Sequence, residues 1–287
     1  MILYNEKQLE CIEHPPAPLM IIAGAGTGKT TTLIGRIAYF INERNISPEN
    51  ILVLTYTVKA AEHLKNSIPN LVQSSADKIN ASNFHSFALA KITAYHEVLG
   101  YSILPTFIEP SEVKCILKEI IHANIDILES SNYKKDINLA NVNVPKVFDR
   151  FRDELIVEDE LIKKRDAIIA NKENEENDLQ LLDCINLFFK YQDFKKKKSW
   201  IDFGDMIIDL WTLVNNQKVL IDIQSSIKHI LVDEYQDNNF ALSQIIMKLS
   251  GENGSVTVVG DDDQSIYSFR GANVIAFNEF RDHYESF

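Results

Sequence analysis

The sequence predicts an α/β fold, in which a parallel-sheet domain is interrupted by an all-α insertion domain. Five short β-rich apolar runs, three early and two late, lie at residues 19–23, 51–55, 79–83, 230–233 and 256–260. A turn or a helical spacing of apolar residues follows each run, which is typical of parallel strands joined by helices. The middle of the chain has helical spacing and little strand signal.

The helical spacing of apolar residues in the middle of the chain predicts the insertion domain. Ser111 is expected to begin one amphipathic helix, and residues 181–189 lie in a second. Pro145 is predicted in the first turn of another helix, and the charged run 171–178 is interpreted as a solvated loop. The predicted domains are residues 1–90 with 200–287 for the α/β domain, and residues 91–199 for the insertion.

Composition limits the function classes. The net charge of −12 means that a nucleic acid would have to bind in a local groove, and the lysine run 195–198 is interpreted as a solvated helix end rather than a duplex contact. The three cysteines form no CxxC pair, which disfavours a zinc or iron–sulfur site. No apolar run approaches the roughly 20 residues that span a bilayer. We therefore expect a cytoplasmic protein without a membrane partner.

A glycine-rich turn, AGAGTGKT at residues 23–30, joins the first predicted strand to an amphipathic helix. Such a turn directs backbone N–H groups at one point and binds phosphate. Lys29 would reach the β- and γ-phosphates of ATP, and Thr30 would bind Mg²⁺. The alternative is a chance glycine-rich turn. The predicted nucleotide-binding residues of this stretch are Ala23, Gly24, Ala25, Gly26, Thr27, Gly28, Lys29, Thr30 and Thr31.

A second acidic motif, DEYQD at residues 233–237, follows the fourth predicted strand. A phosphate loop requires a carboxylate on the metal side of the nucleotide, and Asp233 is predicted to hold Mg²⁺. Glu234 is the candidate base for the attacking water. The alternative is an acidic strand end without a role.

Together with other short stretches, these motifs resemble those of a known protein family. AGAGTGKT, DEYQD and GDDDQSIYSFRGA occur in the order typical of superfamily 1 helicases of the UvrD/Rep/PcrA group, and NEKQ, LTYTVKAAEHL, NFHSFA and IDFGDMI also match. The resemblance implies a RecA-like P-loop NTPase fold and ATP-driven 3′–5′ movement on single-stranded DNA and single-strand/duplex junctions. It also implies that a second RecA-like lobe, whose motifs this chain lacks, completes the site.

The resemblance gives roles to the loop after residue 260. Gln264 would sense the γ-phosphate, and Tyr267 and Phe269 would stack on DNA bases. The second ring is usually tryptophan in the family. Arg270 would have a structural or DNA-side role. Ordinary core aromatics are the alternative for both rings.

Five further roles also depend on the resemblance. Gln8 would read the adenine edge, and Arg36 would pack on the adenine face; a solvated helix glutamine and a surface salt bridge are the alternatives. Thr57 would contact a DNA phosphate or cap a strand end. Phe84 and His85 would line the DNA path, or belong to the core.

The predicted function is therefore the ATP-binding portion of an ATP-dependent DNA helicase. One alternative is a helicase subunit of a helicase–nuclease or phage-defence complex, with a nuclease or repair protein as partner. The other is a nucleotide-dependent switch without motor action, which would not need Tyr267 or Phe269.

Overall fold

A computed structural model describes residues 3–68, 78–251, 254–261 and 274–285 of the chain. In chain order its strands are β1 (Leu19–Ile22), β2 (Ile51–Thr55), β3 (Asn80–Asn83), β4 (Thr106–Phe107), β5 (Trp200–Ile201), β6 (His229–Val232) and β7 (Ser255–Gly260). Five of them form one sheet in the order β1-β7-β6-β2-β3, and the remaining two pair with each other.

All neighbouring strands in the main sheet are parallel, so their carboxyl ends meet at one edge. Ile21 pairs with Val259, and Val53 pairs with Leu231. Every residue of β2, β6 and β7 is buried, which is why these segments read as continuous apolar runs in the sequence. The predicted parallel α/β sheet is confirmed, and each of the five predicted runs overlaps one of its strands.

Helices connect the strands. In chain order the described helices are α1 (Glu6–Glu13), α2 (Lys29–Asn42), α3 (Val58–Ser67), α4 (Phe84–Tyr95), α5 (Pro110–Ala123), α6 (Ser131–Lys135), α7 (Ile137–Asp153), α8 (Glu158–Ala170), α9 (Glu176–Lys198), α10 (Phe203–Asn215), α11 (Gln217–Ser226), α12 (Phe240–Ser250) and α13 (Val274–Glu285). None of the helices in the described ranges combines the length and apolar content that a membrane crossing requires.

The helical segment differs from the sequence prediction in detail. α5 begins at Pro110 with Glu109 as its N-cap, because Glu109 and Glu112 form a capping box; Ser111 is therefore inside the helix. Pro145 lies within α7, not in its first turn. Val144 and Phe148 beside it are fully buried, so packing of the apolar face outweighs the hydrogen bond that the proline removes.

A buried ionic cluster joins α7, α9 and the start of α10. Asp202 accepts hydrogen bonds from Arg152 at 3.0 Å, Lys195 at 2.9 Å and the Tyr191 hydroxyl at 2.7 Å. Asp205 also contacts both cations. Although burial opposes it, the charges of Arg152 and Lys195 hold the pKa of Asp202 well below its usual range.

The cluster corrects the interpretation of the lysine run. Lys195, its first member, is buried in the cluster, whereas residues 196–198 are exposed. Gly204 is needed beside it, since a Cβ atom there would lie 2.4 Å from Cδ of Arg152. Sequence spacing alone does not show which lysine of a run points inward.

The chain divides into two compact units, one of Met1–Tyr95 with Asp209–Phe287 and the other of His96–Ile208. The predicted boundaries differ from this division at both ends. Tyr95 donates a hydrogen bond to Asp222 and so belongs with the sheet unit. Asp202 and Asp205 pair with Arg152 and therefore belong with the helical unit.

Arg36 is the largest fully buried side chain of the sheet unit. Its Nε donates to Thr257 on β7 at 2.9 Å, and its guanidinium also donates to main-chain carbonyl oxygens at the end of α1, including those of Cys11 at 2.9 Å and His14 at 2.7 Å. It lies 4.5 Å from the centroid of the Phe40 ring. The expected packing of Arg36 on adenine is therefore wrong for this structure, because the side chain has no exposed surface; it also forms no surface salt bridge.

His229 lies beside this arginine, with its ring centroid 4.6 Å from that of Phe40. Burial, together with the nearby charge of Arg36, lowers the pKa of His229 to about 4. Protonation would place a second cation next to the buried guanidinium, so the folded protein keeps this imidazole neutral.

We predict that His229 makes the sheet unit sensitive to acid. The unfolded chain takes up the extra proton below pH of about 6.5, whereas the folded chain does so only near pH 4, so stability is full above that window and is lost as pH falls through it. Between pH 7.5 and 5, wild type should lose about 2 kcal/mol more unfolding free energy than His229→Gln. Urea unfolding at the two pH values measures this difference, and His63→Gln, which removes an exposed histidine, is the matched control. Equal losses in wild type and His229→Gln would contradict the prediction.

We predict that Lys195→Met destabilises the helical unit by about 3–5 kcal/mol, because it leaves the buried carboxylate of Asp202 and the partly buried one of Asp205 with Arg152 as their cation. Lys197→Met, an exposed change on the same helix, should cost less than about 1 kcal/mol. Thermal and urea unfolding followed by circular dichroism compare the two variants. Similar stabilities would mean that the cluster contributes no net stability.

Candidate nucleotide-binding site

The turn between β1 and α2 forms the centre of the candidate site. Gly26 and Gly28 have φ of +73° and +87°, values that favour glycine. Gly28 is the N-cap of α2, and no side chain caps this helix end. The first N–H groups of a helix have no acceptor within the helix, so this end of α2 is suited to bind an anion.

Gln8 contacts this turn directly. Its Nε2 donates to the carbonyl oxygen of Thr27 at 3.1 Å, while its Oε1 accepts from the backbone N–H of Asn5 in the capping box of α1. A Cβ atom on Gly28 would lie only 2.8 Å from the Gln8 amide nitrogen. The glutamine is thus at the phosphate turn, where both ends of its amide bind protein atoms.

The carboxylates of DEYQD lie at the same edge of the sheet. Asp233 follows β6, its backbone N–H donates to the carbonyl of Leu54 at 3.0 Å, and the hydroxyl of Thr30 lies 3.5 Å from its Oδ2. Burial and the neighbouring charge of Glu234 raise the pKa of Asp233 to about 6. A buried carboxyl group in this environment gains from a cation beside it.

Lys29 is in the first turn of α2, and its side chain is 9% exposed. Its Nζ lies 3.7 Å from Oδ2 of Asp261, which follows β7 and is itself buried. The adjacent strand ends therefore bring Lys29, Thr30, Asp233 and Asp261 together. This constellation can bind phosphate oxygens and a divalent cation in one place.

Glu234 has an unusual backbone conformation. Its φ and ψ are +52° and +47°, in the left-handed region that a non-glycine residue adopts only at a cost. A short 3-10 turn, Tyr235–Asp237, follows it. Gln236 in this turn donates from Nε2 to Oε2 of Glu234 at 2.7 Å and accepts at Oε1 from the backbone N–H of Asp261 at 3.0 Å.

The residues predicted to contact DNA before position 262 have different environments. Thr57 is exposed and is the N-cap of α3, its hydroxyl accepting from the N–H of Ala60 at 3.1 Å. Phe84 is 2% exposed, so this structure does not present its ring to a DNA strand, and the expectation that it lines the DNA path is corrected to a core position. Burial lowers the pKa of the half-buried His85.

Four of the predicted site residues lie outside the described residues, which do not include 262–273. They are Gln264, Tyr267, Phe269 and Arg270. Their roles stay predictions.

Two residues of the site had no role in the sequence analysis. Gln236 belongs to DEYQD, but only the fold shows that its amide reaches the end of β7. Asp261 is the first of three consecutive aspartates, and the sequence does not distinguish which of them faces Lys29. The glycine before it is the one signal, because Gly260 marks a close approach of another chain segment to the backbone.

The chain is similar to known DNA helicases. It matches the UvrD/REP helicase N-terminal domain family over residues 4–285. It is 32% identical over 280 residues to the ATP-dependent DNA helicase PcrA of Staphylococcus epidermidis, covering 96% of this chain and 36% of that protein. The PcrA of Staphylococcus aureus gives the same figures.

A probable DNA helicase II homolog of Mycoplasma genitalium is 33% identical over 274 residues, covering 93% of this chain and 37% of that protein. The chain thus spans little more than a third of the length of these relatives. Because the family match extends over almost all of its residues, the chain belongs to the UvrD/REP helicase N-terminal domain family.

Proposed function

We propose that this chain is the ATP-binding portion of an ATP-dependent DNA helicase that moves along single-stranded DNA. The observation that carries the proposal is the meeting of Lys29, Thr30, Asp233 and Asp261 at one edge of the sheet beside an uncapped helix end. Membership of a helicase family supports the same activity. Direction of movement from 3′ to 5′ is proposed by resemblance alone.

In this proposal the loop and α2 bind the phosphates. The backbone N–H groups of residues 24–31 surround the phosphate oxygens, and Lys29 exchanges its contact with Asp261 for the β- and γ-phosphates. Glu234 accepts a proton from the attacking water. Gln8 donates to the Thr27 carbonyl, and in this proposal its amide exchanges that contact for the adenine edge.

Mg²⁺ fits the residues next to the loop. Asp233 is a buried carboxyl group whose pKa is raised, and the Thr30 hydroxyl is its neighbour, so two hard oxygen ligands lie together. When bound, the ion would neutralise negative charge on the phosphates. Thr30 and Asp233 are the residues that we propose hold it.

DNA binding is proposed for the segment after Asp261 and for the exposed cap of α3. Tyr267 and Phe269 would stack on bases, Arg270 and Thr57 would lie along the strand, and Gln264 would connect this segment to the γ-phosphate. His85 lies on α4 directly after β3 and stays a candidate for the DNA path. Because the net charge is −12, these contacts must act locally.

The remaining partners are proposals of the same kind. A second RecA-like lobe would supply the opposite wall of the cleft, and an arginine from such a wall can raise turnover about 10³–10⁵-fold. Single-strand/duplex junctions as substrate, a nuclease or repair partner, and the cytoplasm as location are inferred from the resemblance. No observation favours a switch without motor action, and the relatives bear the names of DNA helicases.

We predict that Lys29→Ala weakens binding of a non-hydrolysable ATP analogue at least 10-fold, because a charge-assisted contact to phosphate contributes about 1.5–3 kcal/mol. Isothermal titration of the 287-residue chain measures the change. Lys248→Ala, an exposed lysine change on α12, is the matched control and should bind like wild type. Unchanged affinity in folded Lys29→Ala would refute the phosphate-binding role of the loop.

We predict that replacing Tyr267 and Phe269 together by alanine weakens binding of a single-stranded oligonucleotide by roughly 2–6 kcal/mol, since each lost stack removes about 1–3 kcal/mol. Fluorescence anisotropy at one fixed low salt concentration measures it, because such affinities change steeply with salt. The variant should retain ATP-analogue affinity, which controls for folding. Wild-type DNA affinity in the double variant would contradict the stacking role and favour the alternative that both rings are core aromatics.

A further inference from the structure

We propose that Gln236 is a positioning residue that fixes the carboxylate of Glu234 for activation of water. The inference rests on the proposed ATPase function and adds a residue to its machinery. Gln236 need not touch nucleotide or water in this role. It acts through the side chain of Glu234.

The geometry of the glutamine amide carries the proposal. Gln236 is 4% exposed, yet both ends of its side chain are satisfied. Nε2 donates to Oε2 of Glu234 at 2.7 Å, and Oε1 accepts from the backbone N–H of Asp261 at 3.0 Å. One planar amide therefore sets the distance between the candidate base and the end of β7.

The backbone of Glu234 makes this support necessary. At φ +52° and ψ +47° the residue is in the left-handed region, and such a conformation persists only where surrounding contacts hold it. The Gln236 bond keeps the carboxylate oxygen Oε2 in one orientation.

Gly260 shows how closely the glutamine is held. A Cβ atom at this position would lie 2.3 Å from Oε1 of Gln236 and 2.7 Å from Cζ of Phe277. Any larger residue at 260 would push the amide away from the strand end. The lack of a side chain at 260 thus leaves room for the Gln236 amide and the Phe277 ring at the end of β7.

The contact also connects the two sides of the site. Asp261, whose N–H binds Gln236, places its carboxylate 3.7 Å from Nζ of Lys29. A displacement of Lys29 or Asp261 on phosphate binding is therefore adjacent to the group that orients the base. The position of Glu234 is thereby linked to the phosphate side of the site through a single side chain.

The test is a double-mutant cycle on ATP hydrolysis by this chain together with the second RecA-like lobe that we propose completes its site, measured as single turnovers with excess protein. Gln236→Met removes both amide contacts and keeps the side-chain length. We expect its rate constant to fall about 10- to 100-fold, as for a misplaced base. The dissociation constant for an ATP analogue should change less than about threefold, because the proposed phosphate contacts come from other residues.

The cycle is completed with Glu234→Gln alone and together with Gln236→Met. If Gln236 acts through Glu234, the double variant should hydrolyse ATP at the rate of Glu234→Gln within about twofold. Losses that multiply would show that Gln236 has only a structural role. A wild-type rate in Gln236→Met would overturn the proposal as well.

Two further variants keep the result decisive. Gly260→Ala displaces the same amide by steric contact and should reproduce the Gln236→Met split between rate and affinity, so it serves if Gln236→Met does not fold. Gln224→Met removes a glutamine that bridges α11 to carbonyl oxygens of α12 and should leave the rate unchanged. If wild type hydrolyses ATP no faster than Lys29→Ala, the proposed ATPase function fails, and this inference with it.

Discussion

The buried guanidinium of Arg36 requires hydrogen-bond acceptors, and two elements of the sheet unit, β7 and the end of α1, supply them. A buried cation is stable only when its donors are satisfied. Here the acceptors come from β7 and from the carbonyl oxygens that end α1, and burial lowers the pKa of Arg36 only to about 10, which keeps it charged near neutral pH. The arginine thereby fixes α1 against α2, and α1 carries Gln8 to the phosphate turn.

Parallel strands determine where the chemistry can occur. Because all strands of the main sheet end at one edge, the residues that follow β1, β6 and β7 are neighbours although they are distant in sequence. Asp233, Glu234 and Asp261 follow strands that end there, and Nζ of Lys29 lies 3.7 Å from Oδ2 of Asp261. Among the described residues named here, three carboxyl groups lie near one lysine, and this arrangement suits a site that binds a cation together with its nucleotide.

Sequence patterns predicted the sheet and the residues that form the glycine-rich turn between β1 and α2. Both depend on local signals, namely apolar runs, glycines and a following helix. The patterns did not predict the burial of Arg36 or Lys195, and they gave the core position of Phe84 only as the alternative to a DNA contact. The buried position of Arg36 depends on Thr257, which is distant in sequence, and that of Lys195 depends on a cluster that includes the distant Arg152. The contact of Gln236 with Asp261 was missed for the same reason.

The order of the strands in the sheet also determines when each part of the chain can fold during translation. β1 pairs only with β7 in the described sheet. The first strand to leave the ribosome therefore has no pairing partner until the last strand has been synthesised. The helical unit is continuous in sequence, its contacts are more local, and it can fold while the rest is still being made. During that interval the apolar segments of β1 and β2 have no β6 or β7 to cover their edges. Chaperone dependence of the nascent chain should therefore arise from the sheet unit, whose two halves the insertion keeps apart in time.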